Sequence, residues 1–371
     1  MGTLRVLFAL AVVLAHSYGF VFIGGKNAVQ LFYMISGFLI SYVLVERKVY
    51  SNLIDFYINR YLRLYPIYFV VAILSFFAYT IAMLGGEGTQ FFKVYLNAPA
   101  AAIILLIFSN ATIFLQDWVM FLGVEHNDLV FSTSFLTSEV VLYPALLAPQ
   151  AWTLGVELAF YLVAPFVLTR KFLLLSLLAL SISLRVYLLH IGLGKSDPWT
   201  YRFFPTELAL FLLGALAHQV LLPFYKETLF RGGAINTYSK LSTYFMIGIV
   251  LVYWIVPARE IVKTVVLFVV FLLLMPLVFV FQSNNKWDKW LGDLSYPIYI
   301  CHMLVIFIVA MVLGRFGIAD KLLTSAIVVA FTFGFAIVLN VYVGSPMESL
   351  RGRFRADSAA TGLSHHDKKA T

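Results

Sequence analysis

Residues 261–282 read IVKTVVLFVVFLLLMPLVFVFQ, and Lys263 is the only charged side chain in this stretch. An α-helix rises about 1.5 Å per residue, so about 20 apolar residues cross the roughly 30 Å hydrocarbon core of a bilayer. The stretch is therefore long enough and apolar enough to form a transmembrane helix.

The rest of the chain has the same character. Of its 371 residues, 62% are hydrophobic and 12% are charged, about half the charge of an average soluble domain. The mean hydropathy is +0.92. Apolar runs predict membrane helices at 3–22, 28–45, 64–84, 152–169, 172–191, 203–222, 241–257, 261–282, 295–314 and 322–343.

The segment 85–150 decides how often the chain crosses the membrane. It contains an apolar run at 99–116 and a weaker one at 129–148. If 99–116 enters the membrane and turns back, the chain has ten spans; if the two runs cross as a pair, it has twelve. Three polar side chains are costly to place in lipid and favour ten spans: Asn110, Gln116 and Asp117.

Basic residues set the orientation. Lys and Arg are concentrated at 46–63, 169–171 and 223–240 and after Val343, and such segments stay in the cytoplasm. Topology thus explains the formal net charge of +8 without a nucleic-acid partner. We predict an all-α, polytopic membrane helix bundle of about ten (ten to twelve) transmembrane helices with both termini cytoplasmic.

The domain organisation follows from the distribution of apolar residues. Residues 1–345 are predicted to form one membrane domain. Residues 346–371 are polar and predict a disordered cytoplasmic tail. Cys301 is the only cysteine, so an internal disulfide is excluded, and the sequence has no metal-ligand spacing or phosphate-binding glycine motif. We expect no metal.

The first apolar run contains two ionisable residues, Arg5 and His16. Eleven steps of about 100° place them on nearly the same helix face, ~16 Å apart along the axis. Arg5 can reach the cytoplasmic interface with its aliphatic stem. His16 is a candidate general base, because a neutral imidazole accepts a proton near pH 7. A purely structural hydrogen bond from His16 to a neighbouring helix is the alternative.

Arg60 and Arg63 lie three residues apart, on one helix face at the expected cytoplasmic surface. The planar guanidinium fork suits phosphate oxygens, so the pair can bind a phosphate group. Two basic residues would satisfy the topology rule equally well.

Glu157 lies one turn into an apolar run, with Tyr161 four residues on. A carboxylate there requires a donor such as Tyr, His or Arg. It can orient an acceptor hydroxyl or pair structurally with an arginine. Arg202 and Glu207 flank the start of another span and are expected to form an interfacial pair.

Five motifs in order resemble those of the acyltransferase 3 family, membrane proteins that acylate sugars and other acceptors. They are Arg5 with ten residues before His16; Phe32–Ile40 (FYMISGFLI, with Ser36); Arg60-x-x-Arg63; Trp152–Tyr161 (WTLGVELAFY); and Ser295–His302 (SYPIYICH, with Tyr296). The resemblance runs from residue 4 to about 345. Thr153 replaces a serine of the family pattern. Pro346 precedes Glu348 rather than following it as in the family's E-x-P-x-R, so a family role for Glu348 does not carry over.

The resemblance implies an acyltransferase of the stand-alone type, without an esterase-like domain, in the bacterial inner membrane. It would move an acyl group, usually acetyl, from cytoplasmic acetyl-CoA to a hydroxyl of a cell-surface carbohydrate such as O-antigen, exopolysaccharide or a lipid-linked precursor. Acyl-CoA would be a co-substrate and not a bound cofactor.

The resemblance also implies roles for individual residues. Acyl-CoA would be bound by Arg5, Arg60 and Arg63. Catalysis would use His16, as general base or as a covalent relay, and Glu157. Acceptor-site or supporting residues would be Ser36, Tyr161, Tyr296 and His302. The competing interpretation is a transporter or flippase of a glycan or acyl metabolite, since intramembrane Arg, His and Glu also serve carriers.

Overall fold

The computed structural model describes residues 1–355 except 18, 20, 21, 231–234 and 284. Helices account for most of this structure. They are α1 Gly2–Ser17, α2 Gly25–Ser41, α3 Leu53–Leu84, α4 Gln90–Asn97, α5 Ala100–Thr112, α6 Trp152–Val167, α7 Lys171–His190, α8 Phe204–Leu216, α9 Leu222–Phe230, α10 Ile235–Val252, α11 Glu260–Ser283, α12 Lys286–Arg315, α13 Lys321–Leu339 and α14 Ser345–Gly352.

Side-chain caps fix where three of the long helices begin. The Oδ1 atoms of Asn52, Asn285 and Asp320 accept backbone N–H groups in the first turns of α3, α12 and α13 at 2.9, 2.9 and 2.6 Å. Such caps satisfy donors that have no partner within the helix. Because α3 begins at Leu53, Arg60 and Arg63 lie within its first turns, on a helix as the sequence predicts.

The all-α polytopic fold is confirmed. In the described part of the chain, nine helical stretches are long and apolar enough to cross a membrane. The sixteen-residue α1 would be a tenth. Residues 129–148 hold a strand and short 3₁₀ turns instead of a membrane-length helix, so the twelve-span alternative is wrong. Exposed apolar side chains such as Ile104 and Phe172 suit a surface covered by lipid.

The segment 100–131 enters the bundle and turns back. Backbone carbonyls at the end of α5 accept the hydroxyls of Tyr65 and Tyr68 from the middle of α3, at 2.5 and 2.8 Å. Ile113 and Leu115 then adopt left-handed φ angles of 63° and 64°, which reverse the chain. An antiparallel hairpin follows, with strands β1 Leu122–Glu125 and β2 Asp128–Phe131.

Close helix packing positions the central elements. α1 runs along α12, and α2 runs along α8. Gly37 and Gly214 permit the second contact: a Cβ atom on either glycine would overlap a backbone carbonyl of the opposite helix. The carboxylate of Asp288 accepts N–H groups of Gly2 and Thr3 at 2.6 and 2.8 Å, which fixes the start of α1 against α12.

The prediction of a disordered tail over 346–371 is wrong for its first residues, because α14 spans Ser345–Gly352. Arg351 anchors this helix by donating to the side-chain oxygen of Asn59 on α3. Residues 356–371 lie outside the described part of the chain.

Candidate active site

A cavity lies among α1, α2, α3, α6 and α12. Seven of the nine predicted site residues line it: Arg5, Ser36, Arg60, Arg63, Glu157, Tyr161 and Tyr296. Five helices that are far apart in the sequence thus bring these side chains together around one cavity.

The three arginines form a positively charged wall with free donors. The side chains of Arg5 and Arg63 make no hydrogen bond or ion pair within the described residues, yet they are close enough for their charges to interact. Arg60 donates from Nη2 to Tyr50 and Asn59 at 2.8 and 2.6 Å. Its buried Nε lacks a partner in the described structure. Unpaired guanidinium donors in a cavity favour an anionic ligand.

Glu157 faces the same cavity and is held by hydroxyl groups. Its Oε1 accepts from Ser36 Oγ at 2.7 Å and from the Tyr161 hydroxyl at 2.5 Å. Tyr161 lies one turn farther along α6, and the Arg60 guanidinium carbon is 5.8 Å from the centre of its ring. The carboxylate therefore has hydroxyl donors and forms no ion pair with an arginine within the described residues.

His16 and His302 form a pair of nearly parallel rings outside the cavity lining. Their ring centroids are 5.2 Å apart, and His302 Nε2 is 3.2 Å from His16 Nδ1. His302 is fully buried, with Nδ1 2.6 Å from the backbone oxygen of Tyr299. His16 is exposed. The packing of α1 along α12 creates this pair.

Tyr299 lies between the cavity and the histidines. Its side chain lines the cavity, and its ring centroid is 5.8 Å from that of His302. The Tyr299 hydroxyl donates to the Gln150 carbonyl at 3.1 Å and accepts from Thr153 Oγ1 at 2.9 Å. Sequence reasoning missed this position, although both Tyr299 and Thr153 belong to motifs it quoted.

A second cluster surrounds Arg202. Its guanidinium carbon lies 4.2 Å from the centre of the Trp152 ring and 5.1 Å from that of Tyr201. The positive charge of Arg202 lies close enough to His16 to interact with it. Burial opposes the charged form of Arg202, but the hydrogen bonds and charge of Asp197 outweigh this effect and raise its pKa.

The expected pairing of Arg202 with Glu207 is wrong. Arg202 forms a two-pronged ion pair with Asp197 at 2.7 and 2.8 Å. Glu207 is fully buried and lies 3.4 Å from Arg185. It also accepts from Gln30 at 2.9 Å. The presence of Arg202 and Glu207 at the start of one helix was therefore not enough to predict which residues form ion pairs with them.

Two other motif residues have structural contacts. The Tyr296 hydroxyl donates to the Leu64 carbonyl at 2.6 Å, which joins α12 to α3 at the cavity wall. Glu348 pairs with Arg351 and Arg355 and so helps to hold α14.

Comparison with known proteins is consistent with these motifs. A family model described as an acyltransferase domain matches residues 2–342. No curated protein and no solved structure matches the chain. Because the family match spans nearly all of its length, the chain belongs to the acyltransferase 3 family.

Proposed function

We propose that the protein transfers an acyl group, most simply acetyl, from cytoplasmic acyl-CoA to a hydroxyl of a cell-surface carbohydrate. The acceptor would be O-antigen, exopolysaccharide or a lipid-linked precursor. Such a reaction would take place in a bacterial inner membrane, where acyl-CoA and the acceptor lie on opposite faces. The observation that carries the proposal is the cavity with unpaired Arg5 and Arg63 at one end and the histidine pair just beyond the other.

The arginine wall suits the phosphates of coenzyme A. Arg binds phosphate through two parallel N–H donors, and the strength of such charge-assisted bonds grows where water is scarce. Arg5 and Arg63 have these donors free, and Arg60 contributes its Nε. In this proposal acyl-CoA is the co-substrate that neutralises the wall.

The length of the path also suits coenzyme A. Arg5 and His16 are ~16 Å apart along the helix axis, about the reach of a pantetheine arm. With the phosphates at the arginines, the thioester would reach Tyr299 and Thr153, the last cavity-lining residues before the histidines. The Tyr299–Thr153 hydrogen bond would then have to open.

The proposed reaction joins the acceptor oxygen to the acyl carbonyl carbon as the carbon–sulfur bond breaks. His16 takes the hydroxyl proton. The same proton then passes to the departing thiolate, so coenzyme A leaves as the thiol. The Thr153 hydroxyl, released when its hydrogen bond to Tyr299 opens, would donate to the developing oxyanion. A covalent acyl–His16 intermediate is the alternative route.

Glu157 remains our second catalytic candidate. It faces the arginine wall across the cavity and is fixed by Ser36 and Tyr161. A fixed negative charge there would orient the thioester arm and offset the mutual repulsion of the three arginines.

The acceptor would approach the exposed side of His16. Arg202 is close enough to His16 for its charge to act on the ring, and the rings of Trp152 and Tyr201 contact Arg202. Lys26 is exposed and lies 5.7 Å from the centre of the Tyr201 ring. Aromatic rings with cationic donors suit a hydroxyl-rich ligand.

The test uses purified protein in lipid with radiolabelled acetyl-CoA, with and without crude envelope glycan. We expect transfer of label to glycan by the wild type and its loss in His16→Ala, by roughly 10²- to 10⁴-fold if His16 acts as general base. The matched control is His190→Ala, which removes an exposed histidine at the end of α7 and should leave transfer unchanged.

Two results would count against the proposal. Full transfer by a correctly inserted His16→Ala variant would show that His16 takes no part in the reaction. Absence of both transfer and acetyl-CoA binding in the wild type, together with glycan movement across the membrane, would favour the transporter.

A further inference from the structure

The proton positions in the histidine pair follow from its hydrogen bonds. His302 Nδ1 lies 2.6 Å from the backbone oxygen of Tyr299. A carbonyl oxygen can only accept, so Nδ1 of His302 must carry a proton.

The second ring nitrogen of His302 must then accept. A neutral imidazole carries one N–H. A charged His302 would be a fully buried cation whose hydrogen-bond partners in the described structure are a carbonyl and another imidazole, an unfavourable arrangement. Nε2 of the neutral His302 therefore has a lone pair, and His16 Nδ1 at 3.2 Å is the group that donates to it.

We propose that His302 is a positioning residue that holds His16 in the Nδ1–H tautomer. Nε2 of His16 is thereby left unprotonated on the side of the ring away from buried His302. The tautomer follows from the hydrogen bonds and the burial of His302, and its catalytic use rests on the proposed function.

This arrangement prepares His16 as a base. The hydrogen bond of one ring nitrogen decides which nitrogen is free to accept a proton. With Nδ1 committed to His302, the acceptor hydroxyl meets Nε2 without a change of tautomer. When Nε2 takes the proton, the hydrogen bond to His302 Nε2 stabilises the imidazolium and keeps the ring in place.

The direct test is nitrogen NMR of ¹⁵N-histidine-labelled protein in lipid bilayers without substrate. The chain has seven histidines, and spectra of His16→Ala and His302→Gln assign the two signals. We expect protonated Nδ1 and unprotonated Nε2 for both His16 and His302. Protonated Nε2 and unprotonated Nδ1 on His16 in the wild type would overturn the proposal.

Two variants test whether His302 is the cause. His302→Gln retains a hydrogen-bond acceptor, and His302→Leu removes it at similar volume. We expect His16 to keep the Nδ1–H form in the glutamine variant and lose it in the leucine variant. If the leucine variant does not fold, the wild-type and glutamine spectra still decide, because a glutamine variant with the Nε2–H form also contradicts the proposal.

Kinetics separate positioning from structural support. We expect kcat to fall at least tenfold in His302→Leu, with substantial recovery in His302→Gln. The KM for acyl-CoA should stay unchanged, because His302 does not line the cavity. Equal losses in both variants would contradict the positioning role. A wild type that shows the expected tautomer but transfers nothing would instead refute the proposed function and leave the tautomer assignment intact.

Discussion

At the residue scale, substitutions of Arg63 can separate a role in phosphate binding from a role in orienting the chain in the membrane. Arg63→Lys keeps the positive charge but loses the planar fork, and Arg63→Gln loses both. A hydrogen bond to a charged group contributes about 1.5–3 kcal/mol. We therefore expect the Kd for acetyl-CoA to rise by roughly tenfold in the lysine variant and by up to roughly 100-fold in the glutamine variant. Calorimetric titration in detergent or lipid would measure this.

The control for Arg63 is Arg353→Gln, which removes an exposed basic residue from the same side of the bundle. It should bind acetyl-CoA as the wild type does. Unchanged binding by Arg63→Lys and Arg63→Gln would mean that Arg63 serves only the orientation of the chain.

Asp117 predicts a pH dependence of stability. Burial raises its pKa from 3.8 to about 7, although backbone N–H groups of Asp117 and Trp118 partly oppose this. The folded state thus retains a proton that the unfolded state releases above its own pKa. The free energy of unfolding should fall as pH rises from about 4 to 7, by up to about 1.4 kcal/mol per pH unit from this group.

The measurement for Asp117 is thermal unfolding from pH 4 to 8, compared with Asp117→Asn. The variant removes the ionisation at similar shape. Its apparent Tm should match the wild type near pH 4 and exceed it near pH 8. A constant difference across this range would show that Asp117 does not hold the proton.

Individual candidate residues could be selected from the sequence where their chemistry is local. Arg5 and Glu157 stand out as charged groups inside apolar runs, and Arg60 and Arg63 stand out as an arginine pair at the expected cytoplasmic surface. All four line the cavity, and their roles remain predictions. The contact of His16 with His302 could not be predicted from spacing, since it joins residues 286 apart.

At the element scale, the contact of α2 with α8 depends on two glycines. A Cβ atom at Gly37 would overlap the backbone of Phe211, so Gly37→Ala forces the helices apart. We expect a lower Tm and a lower yield of folded protein. Gly248→Ala on α10 is the control, because nothing lies within 4 Å of the added Cβ. Alanine there should be neutral or stabilise by up to about 1 kcal/mol through helix propensity.

A Gly37→Ala variant as stable as the wild type would mean that α2 and α8 can separate without cost. Hydropathy predicted both helices but not this contact, because a run of apolar residues does not reveal which face approaches another backbone. The hairpin at Leu122–Phe131 was also missed. Apolar residues of 129–148 that suggested a membrane span, such as Phe135 and Leu146, are instead buried within the folded segment.

At the scale of the whole molecule, the proposed function requires the arginine end of the cavity to face the cytoplasm, where acyl-CoA is made. α7 offers a test, because Lys171 and Lys195 are exposed and lie at or just beyond its opposite ends. Cys301 is fully buried, so the parent protein should not react with thiol reagents.

The experiment labels Lys171→Cys and Lys195→Cys in intact cells with a membrane-impermeant maleimide. We expect Lys195→Cys to react directly and Lys171→Cys to react only after permeabilisation, since positively charged segments stay in the cytoplasm. The reverse pattern would place Arg5, Arg60 and Arg63 on the outer face. The cavity would then be closed to cytoplasmic acyl-CoA, and the proposed direction of acyl transfer would be physically excluded even though the fold and the family would be unchanged.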